Sequence, residues 1–184
     1  MTLTNTIQIP YMDLITPPET EPLTLSEVKT ALKIDGNDED DFLIKLIRGA
    51  REAAERYLRR SIITQTWQLQ FDQYVPTVVN LPRGPVQSVV SVKIIDHEWN
   101  ETVINPDNYR LNAGKECLVL EAIPFGMVIQ IRYVAGYGDI DHIPAQLKMG
   151  MIQHINAMYE DRTGSEDLPQ MVRNLYAPFC IMKI

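Results

Sequence analysis

The sequence is poor in the residues that build metal centres and disulfide scaffolds. Its 184 residues include two cysteines, Cys117 and Cys180, and three histidines, His97, His142 and His154. Two cysteines make no disulfide framework, and a reducing cytoplasm is the simplest setting. None of the histidines stands at metal-ligand spacing from a cysteine. No run approaches the roughly 18–20 apolar residues that cross a bilayer, so no membrane partner is expected. Met1 to Thr6 carry neither the basic start nor the apolar core of a secretion signal. Without secretion, the Asn100-Glu101-Thr102 sequon has no consequence. A basic excess is also missing: 17 Lys and Arg face 24 Asp and Glu, a formal charge of −7. That argues against a protein that grips nucleic acid through clustered cations.

Patterns that carry chemistry are equally scarce. There is no G-x-S-x-G elbow and no Walker A loop. Gly136-Tyr137-Gly138 is followed by Asp141 where a dinucleotide fingerprint needs glycine. Asp35-Gly36-Asn37-Asp38-Glu39-Asp40 looks like the start of a calcium loop. It has Asp40 at the position that needs glycine and Leu46 at the position that needs glutamate, so it reads as a helix start. Asp139-Ile140-Asp141-His142 reads as a turn, and Glu98 and Glu101 as solvated loop carboxylates. Neither cysteine has a nearby group to activate a thiolate. No catalytic, cofactor-binding or metal-ligating residue is assigned, and no cofactor is expected.

What is present is organisation. Pro10, Pro17, Pro18 and Pro22 keep residues 1–23 extended, as an N-terminal arm. Thr24 and Glu27 form a capping box for a helix ending near Lys33. The next helix spans about 38–60. Asp38 to Asp41 load its start with the charge the helix dipole favours. Leu43, Leu46, Ile47, Ala50, Ala54, Tyr57 and Leu58 recur at helical spacing as its apolar face. Arg48, Arg51, Glu52, Glu55, Arg56 and Arg59 form the opposite face, with Glu52–Arg56 and Glu55–Arg59 as i,i+4 pairs. Gly49 interrupts it at a cost of about 1 kcal/mol relative to alanine; it reads as a tolerated defect or a close helix contact within the chain, ahead of a close contact between subunits.

The period then changes to two. Trp67, Leu69 and Phe71 alternate with polar residues as a half-buried strand. Pro82 to Pro85 make a turn, and Val86 to Ile95 a long strand. A polar loop follows, with a short strand around Val103. Tyr109–Leu111, Cys117–Leu120 and Met127–Tyr133 complete an antiparallel run that ends at Gly136-Tyr137-Gly138. Pro144 fits the first turn of another helix, about 144–161, which ends near Arg162-Thr163-Gly164.

The fold class is therefore α+β: a helical core (the helices at about 38–60 and 144–161) interrupted by an antiparallel β subdomain. The expected divisions are an arm at 1–23, helical parts at 24–62 and 139–164, the β subdomain at 63–138, and a C-terminal docking tail at 165–184. The two helices should pack through Leu46, Ile47, Ala50, Tyr57, Leu147, Met151 and Ile155. The tail is strongly apolar. Either it packs on its own core or it docks onto another protein; for docking, Val172, Leu175, Tyr176, Phe179, Ile181, Met182 and Ile184 are the candidates for contact with a partner, because exposed apolar surface marks interfaces.

A series of short motifs runs in order along the chain. It begins with Pro17-Pro18, Glu21 to Lys29, Leu32 to Asp35, and Asp38 to Asp41 leading to Ile47 to Arg51 and Glu55 to Tyr57. It continues with Gln65-Thr66-Trp67, Leu81 to Val86 with Ser91-Val92, Tyr133 to Gly138, Pro144-Ala145 and Tyr159 to Arg162. From about residue 16 to 169 this order resembles the head–tail connector (adaptor) family of tailed phages. Similar proteins often close with a basic residue after a Pro-aromatic pair; here Pro178-Phe179 is followed by Cys180.

The resemblance implies a structural virion protein of a phage or prophage, with no catalysis. It implies a homo-oligomeric ring, typically of twelve copies, beneath the portal protein in the virion neck. Such a ring extends the DNA channel and docks a stopper or tail-completion protein on its tail side. Double-stranded DNA passes through without sequence-specific binding, which suits an acidic chain. The alternatives are another neck component, such as a stopper or tail-completion protein, and a small ligand-binding or hydrolase domain.

Overall fold

The computed structural model describes residues 10–72, 75–114, 116–121, 128–161 and 168–181. Residues 1–9 of the arm, Met127, the helix end at 162–164, and Met182 and Ile184 lie outside them. The class is α+β, with four helices and two antiparallel sheets among the described residues. The chain forms two compact units, residues 1–17 with 65–135, and 18–64 with 136–184.

The first unit is built on β-strands, with one 3-10 turn at Pro106–Asn108 among its described residues. A five-stranded sheet has the order β1-β2-β8-β4-β5, built from β1 (Tyr11–Thr16), β2 (Gln65–Asp72), β8 (Val128–Ala135), β4 (Val86–Ile95) and β5 (Glu101–Val103). A three-stranded sheet has the order β3-β7-β6, from β3 (Val78–Asn80), β7 (Cys117–Leu120) and β6 (Tyr109–Leu111). Alternation in β2 puts Leu69 and Phe71 into a core shared with Val92, Leu118, Leu120, Ile129 and Ile131, as a period of two dictates. The turn before β4 is stiff. Arg83 sits over the Trp67 ring at 5.2 Å, and the Tyr133 hydroxyl donates to the Pro82 carbonyl at 2.7 Å.

Two strands were not legible in the sequence. Residues 11–16 of the arm pair with β2 in antiparallel register, Met12 opposite Leu69. Val78–Asn80 forms the edge of the second sheet.

The second unit is helical. In α1 (Leu25–Leu32) the capping box closes as expected: the Glu27 amide donates to Thr24 Oγ1 at 3.1 Å, and the Thr24 amide to Glu27 Oε2 at 2.7 Å. That capping lowers the Glu27 carboxyl pKa. The long helix α2 spans Asp40–Leu58, shorter at both ends than expected. Asp38 and Glu39 precede it, and Arg59, at φ 56°, turns left-handed and stops it. The third helix, α3, spans Ala145–Glu160.

The core joins Val28, Leu43, Ile47, Ala50, Ala54 and Leu58 to Leu147, Met151 and Ile155. Leu46 is half-buried against it. Tyr57 is a correction: it is 38% exposed and lies on the rim, because position 57 falls beside the buried stripe. Gly136, at φ 125°, is needed for close approach, since a Cβ there would come within 2.4 Å of the Ile63 carbonyl oxygen. Among the described residues no helix is long and apolar enough to cross a membrane.

Candidate functional site

Part of the tail follows the first of its two readings and packs on its own core. Residues 170–176 form a fourth helix, α4 (Gln170–Tyr176), followed by a 3-10 turn over Ala177–Phe179. Val172 and Tyr176 are fully buried in the helical core. They are therefore not surface docking residues in this conformation, because the helical period turns both toward α3. Gly150 on α3 makes room, with the Tyr176 ring where its Cβ would be. The Tyr57 and Tyr176 rings lie 6.1 Å apart.

Polar contacts fix the segment further. The Arg60 guanidinium donates to the Phe179 carbonyl at 2.7 Å. Gln146 Nε2 donates to the Leu175 carbonyl at 3.1 Å, and Arg173 Nε to that of Leu168 at 2.8 Å. Leu175, Phe179 and Ile181 remain half-buried, and Met171 and Pro178 are exposed. The described end of the tail is thus an anchored helix followed by a short apolar segment.

Two polar atoms in this core, His154 Nδ1 and the Tyr176 hydroxyl, have no hydrogen-bond partner among the described residues. Burial lowers the His154 pKa and pushes the Tyr176 phenol well above its ordinary value. Burial also raises the Cys180 thiol, only partly opposed by the charge of Arg60. That is the opposite of what a reactive thiolate needs.

Sequence reasoning missed a buried charge cluster. Arg51 and Glu55 are 6% and 8% exposed, not on the solvent face of α2. Arg51 Nε donates to Glu21 Oε2 at 2.7 Å, and its Nη1 to Glu55 Oε2 at 3.1 Å. The other Glu55 oxygen accepts the Ile62 amide at 2.8 Å. Burial alone would lower the Arg51 pKa, but the hydrogen bond and charge of Glu21, with the charges of Glu55 and Glu52, reverse it. The exposed i,i+4 pair is Arg48–Glu52, in place of the expected Glu52–Arg56. The i,i+4 rule does not say which of two overlapping pairs forms. The decisive partner, Glu21, is thirty residues away.

The acidic turn before α2 has an internal cation. Lys29 Nζ lies 2.6 Å from Asp40 Oδ1 and 2.8 Å from Asn37 Oδ1, which makes Asp40 the partner of a lysine. No group of three or more metal-ligating side chains occurs among the described residues.

Comparison with known proteins gives a family match over part of the chain, and a fold. Residues 22–107 match the family described as "Phage gp6-like head-tail connector protein". None of the curated proteins compared matches the sequence. Among solved structures, a chain in the neck of an empty gene transfer agent (GTA) particle, computed with C6 symmetry, superposes with a TM-score of 0.80 at 20% identity, over 95% of this chain and 97% of that one. A chain of the virion of the native gene transfer agent particle gives 0.80 at 22% identity, over 94% and 96%. A chain of the native particle's neck, computed with C12 symmetry, gives 0.75 at 20% identity, over 95% and 97%. At these identities the likeness shows the fold.

Proposed function

We propose that this chain, a member of the phage gp6-like head–tail connector family through residues 22–107, forms a ring in the neck of a virion. The ring stands between the portal and the tail-side proteins. The family is one of structural connectors, and the chain's role is mechanical: to extend a channel and offer a docking face. The observation that carries this reading is the family match within a fold shared, over 95% of the chain, with a protein of a symmetric particle neck.

Three finer statements follow. The copy number is twelve, in keeping with the C12 symmetry applied to one such neck. The channel passes double-stranded DNA without gripping it, as suits a chain of net charge −7, since few phosphates could be neutralised by it. The portal is met by the end of the tail, where Phe179 and Ile181 lead into Met182 and Ile184, while Val172 and Tyr176 hold α4 in its own core.

Deleting residues 181–184 tests the last statement without removing Tyr176. The truncated protein keeps its melting temperature and loses binding to the portal ring. Full portal binding by the folded truncated protein contradicts the docking role.

A further inference from the structure

We propose that the β4–β5 hairpin tip is a self-assembly contact, in which Trp99 of one copy seats on the outer face of α2 of the next. The inference rests on the ring reading above and names the surfaces that meet.

The tip is rigid. Asp96 N–H donates to the Asn100 carbonyl at 3.2 Å, and Trp99 N–H to the Asp96 carbonyl at 3.1 Å. The Asp96 carboxylate accepts the amides of Glu98 and Asn100 at 2.8 and 3.0 Å, and Asn100 Nδ2 at 3.0 Å. One side chain thus holds three donors and locks the loop. Within it Trp99 adopts φ 65°, the left-handed region that a residue with a Cβ avoids. A turn needed only to reverse the chain would carry glycine at that position. Here it carries the largest side chain available, 69% exposed. An outlier that presents a rigid aromatic to solvent is the form of an interface anchor.

Charge identifies the occupant. Asp96, Glu98 and Glu101 surround Trp99 in sequence, with Lys93 alone opposite, 2.6 Å from Glu101. The complement is on this chain. Asp41, Lys45, Arg48, Glu52 and Arg56 are exposed on α2 and give a cationic excess in a protein of net charge −7. Beside this stripe lies Gly49, where a Cβ would meet nothing within 4 Å, and the partly exposed rings of Phe42 and Tyr57 stand toward the two ends of the helix. An indole on that surface meets apolar rims and the cations of Lys45 and Arg56. Because hairpin and helix are different surfaces, the contact is heterologous, and a heterologous contact that closes makes a ring.

Sedimentation equilibrium of the full chain over a concentration series tests this, with thermal melts to show that each variant folds. The wild type self-associates. Trp99→Ala weakens self-association roughly thirtyfold, the loss expected of an interface anchor. Arg56→Glu weakens it as well, and adding Glu98→Arg to that variant restores it. Self-association untouched by Trp99→Ala and Arg56→Glu overturns the contact and leaves the ring reading standing. A wild type that stays monomeric at every concentration also overturns the contact; the ring reading is then decided by the layer formed on a portal.

Discussion

Gly150 and Tyr176 fit as notch and key: a Cβ on Gly150 would lie 2.4 Å from Tyr176 Cε1. Those two residues decide where the C-terminal segment goes. The glycine opens a space on α3, the tyrosine of α4 fills it, and Val172 enters the same core one helical turn earlier. Through Val172 and Tyr176 an apolar tail therefore becomes part of a folded unit.

Gly150→Ala should displace α4. Overlap with a fully buried ring lies at the upper end of overpacking costs, about 3 kcal/mol, and outweighs the gain of about 1 kcal/mol from helix propensity. Denaturant melts should show a clear net loss. Gly49→Ala, at dilute monomer concentration, should do the opposite and stabilise by about 1 kcal/mol, because the added methyl meets nothing.

Tyr176→Phe removes a buried hydroxyl that has no partner among the described residues. An orphaned donor costs about 1–3 kcal/mol, so the variant should be as stable as the wild type or more so. Denaturant midpoints compared at equal slope check this; a large loss would mean that the hydroxyl is satisfied in solution.

Arg51→Met should lower stability by about 3–5 kcal/mol, the range for breaking a buried ion pair from one side. It leaves the Glu55 carboxylate buried and Glu21 without its 2.7 Å partner. Arg56→Met, on the exposed face, should change stability by less than about 0.5 kcal/mol. Urea unfolding of the two variants separates these outcomes.

Acidification should weaken the helical unit through His154. Burial holds its folded-state pKa below the ordinary 6.5. Between that lowered value and 6.5 the unfolded chain binds the proton and the folded chain does not. Stability therefore falls as pH drops through this window and is fully present above it. Urea midpoints at about pH 7.5 and about pH 5.5 measure the effect. His154→Leu should remove its share of the difference.

Local signals were legible in the sequence. The Thr24–Glu27 capping box is a four-residue pattern, and it forms as read. Alternation located β2, and the Val-rich run located β4. What was missed depends on distant partners. The strand β1 lies in a proline-flanked arm and shows little burial contrast of its own, so only its pairing with β2 reveals it. The helix α4 has seven residues between Pro169 and Pro178, too few for periodicity to register against those breakers. Arg51 looks like any solvent-facing arginine until Glu21 is brought beside it. Trp99 reads as part of a polar loop, because neither its left-handed backbone nor the Asp96 lock beneath it is written in composition.

The central claim, that this chain is a layer of a virion neck, is tested most directly by co-expressing the tagged full chain with the neighbouring virion genes. The eluate is then identified by mass spectrometry and imaged by electron microscopy. The account predicts a portal ring bearing one added layer of this protein, with twelve copies in register. Recovery of tail proteins without a portal, or of the chain alone, would contradict it.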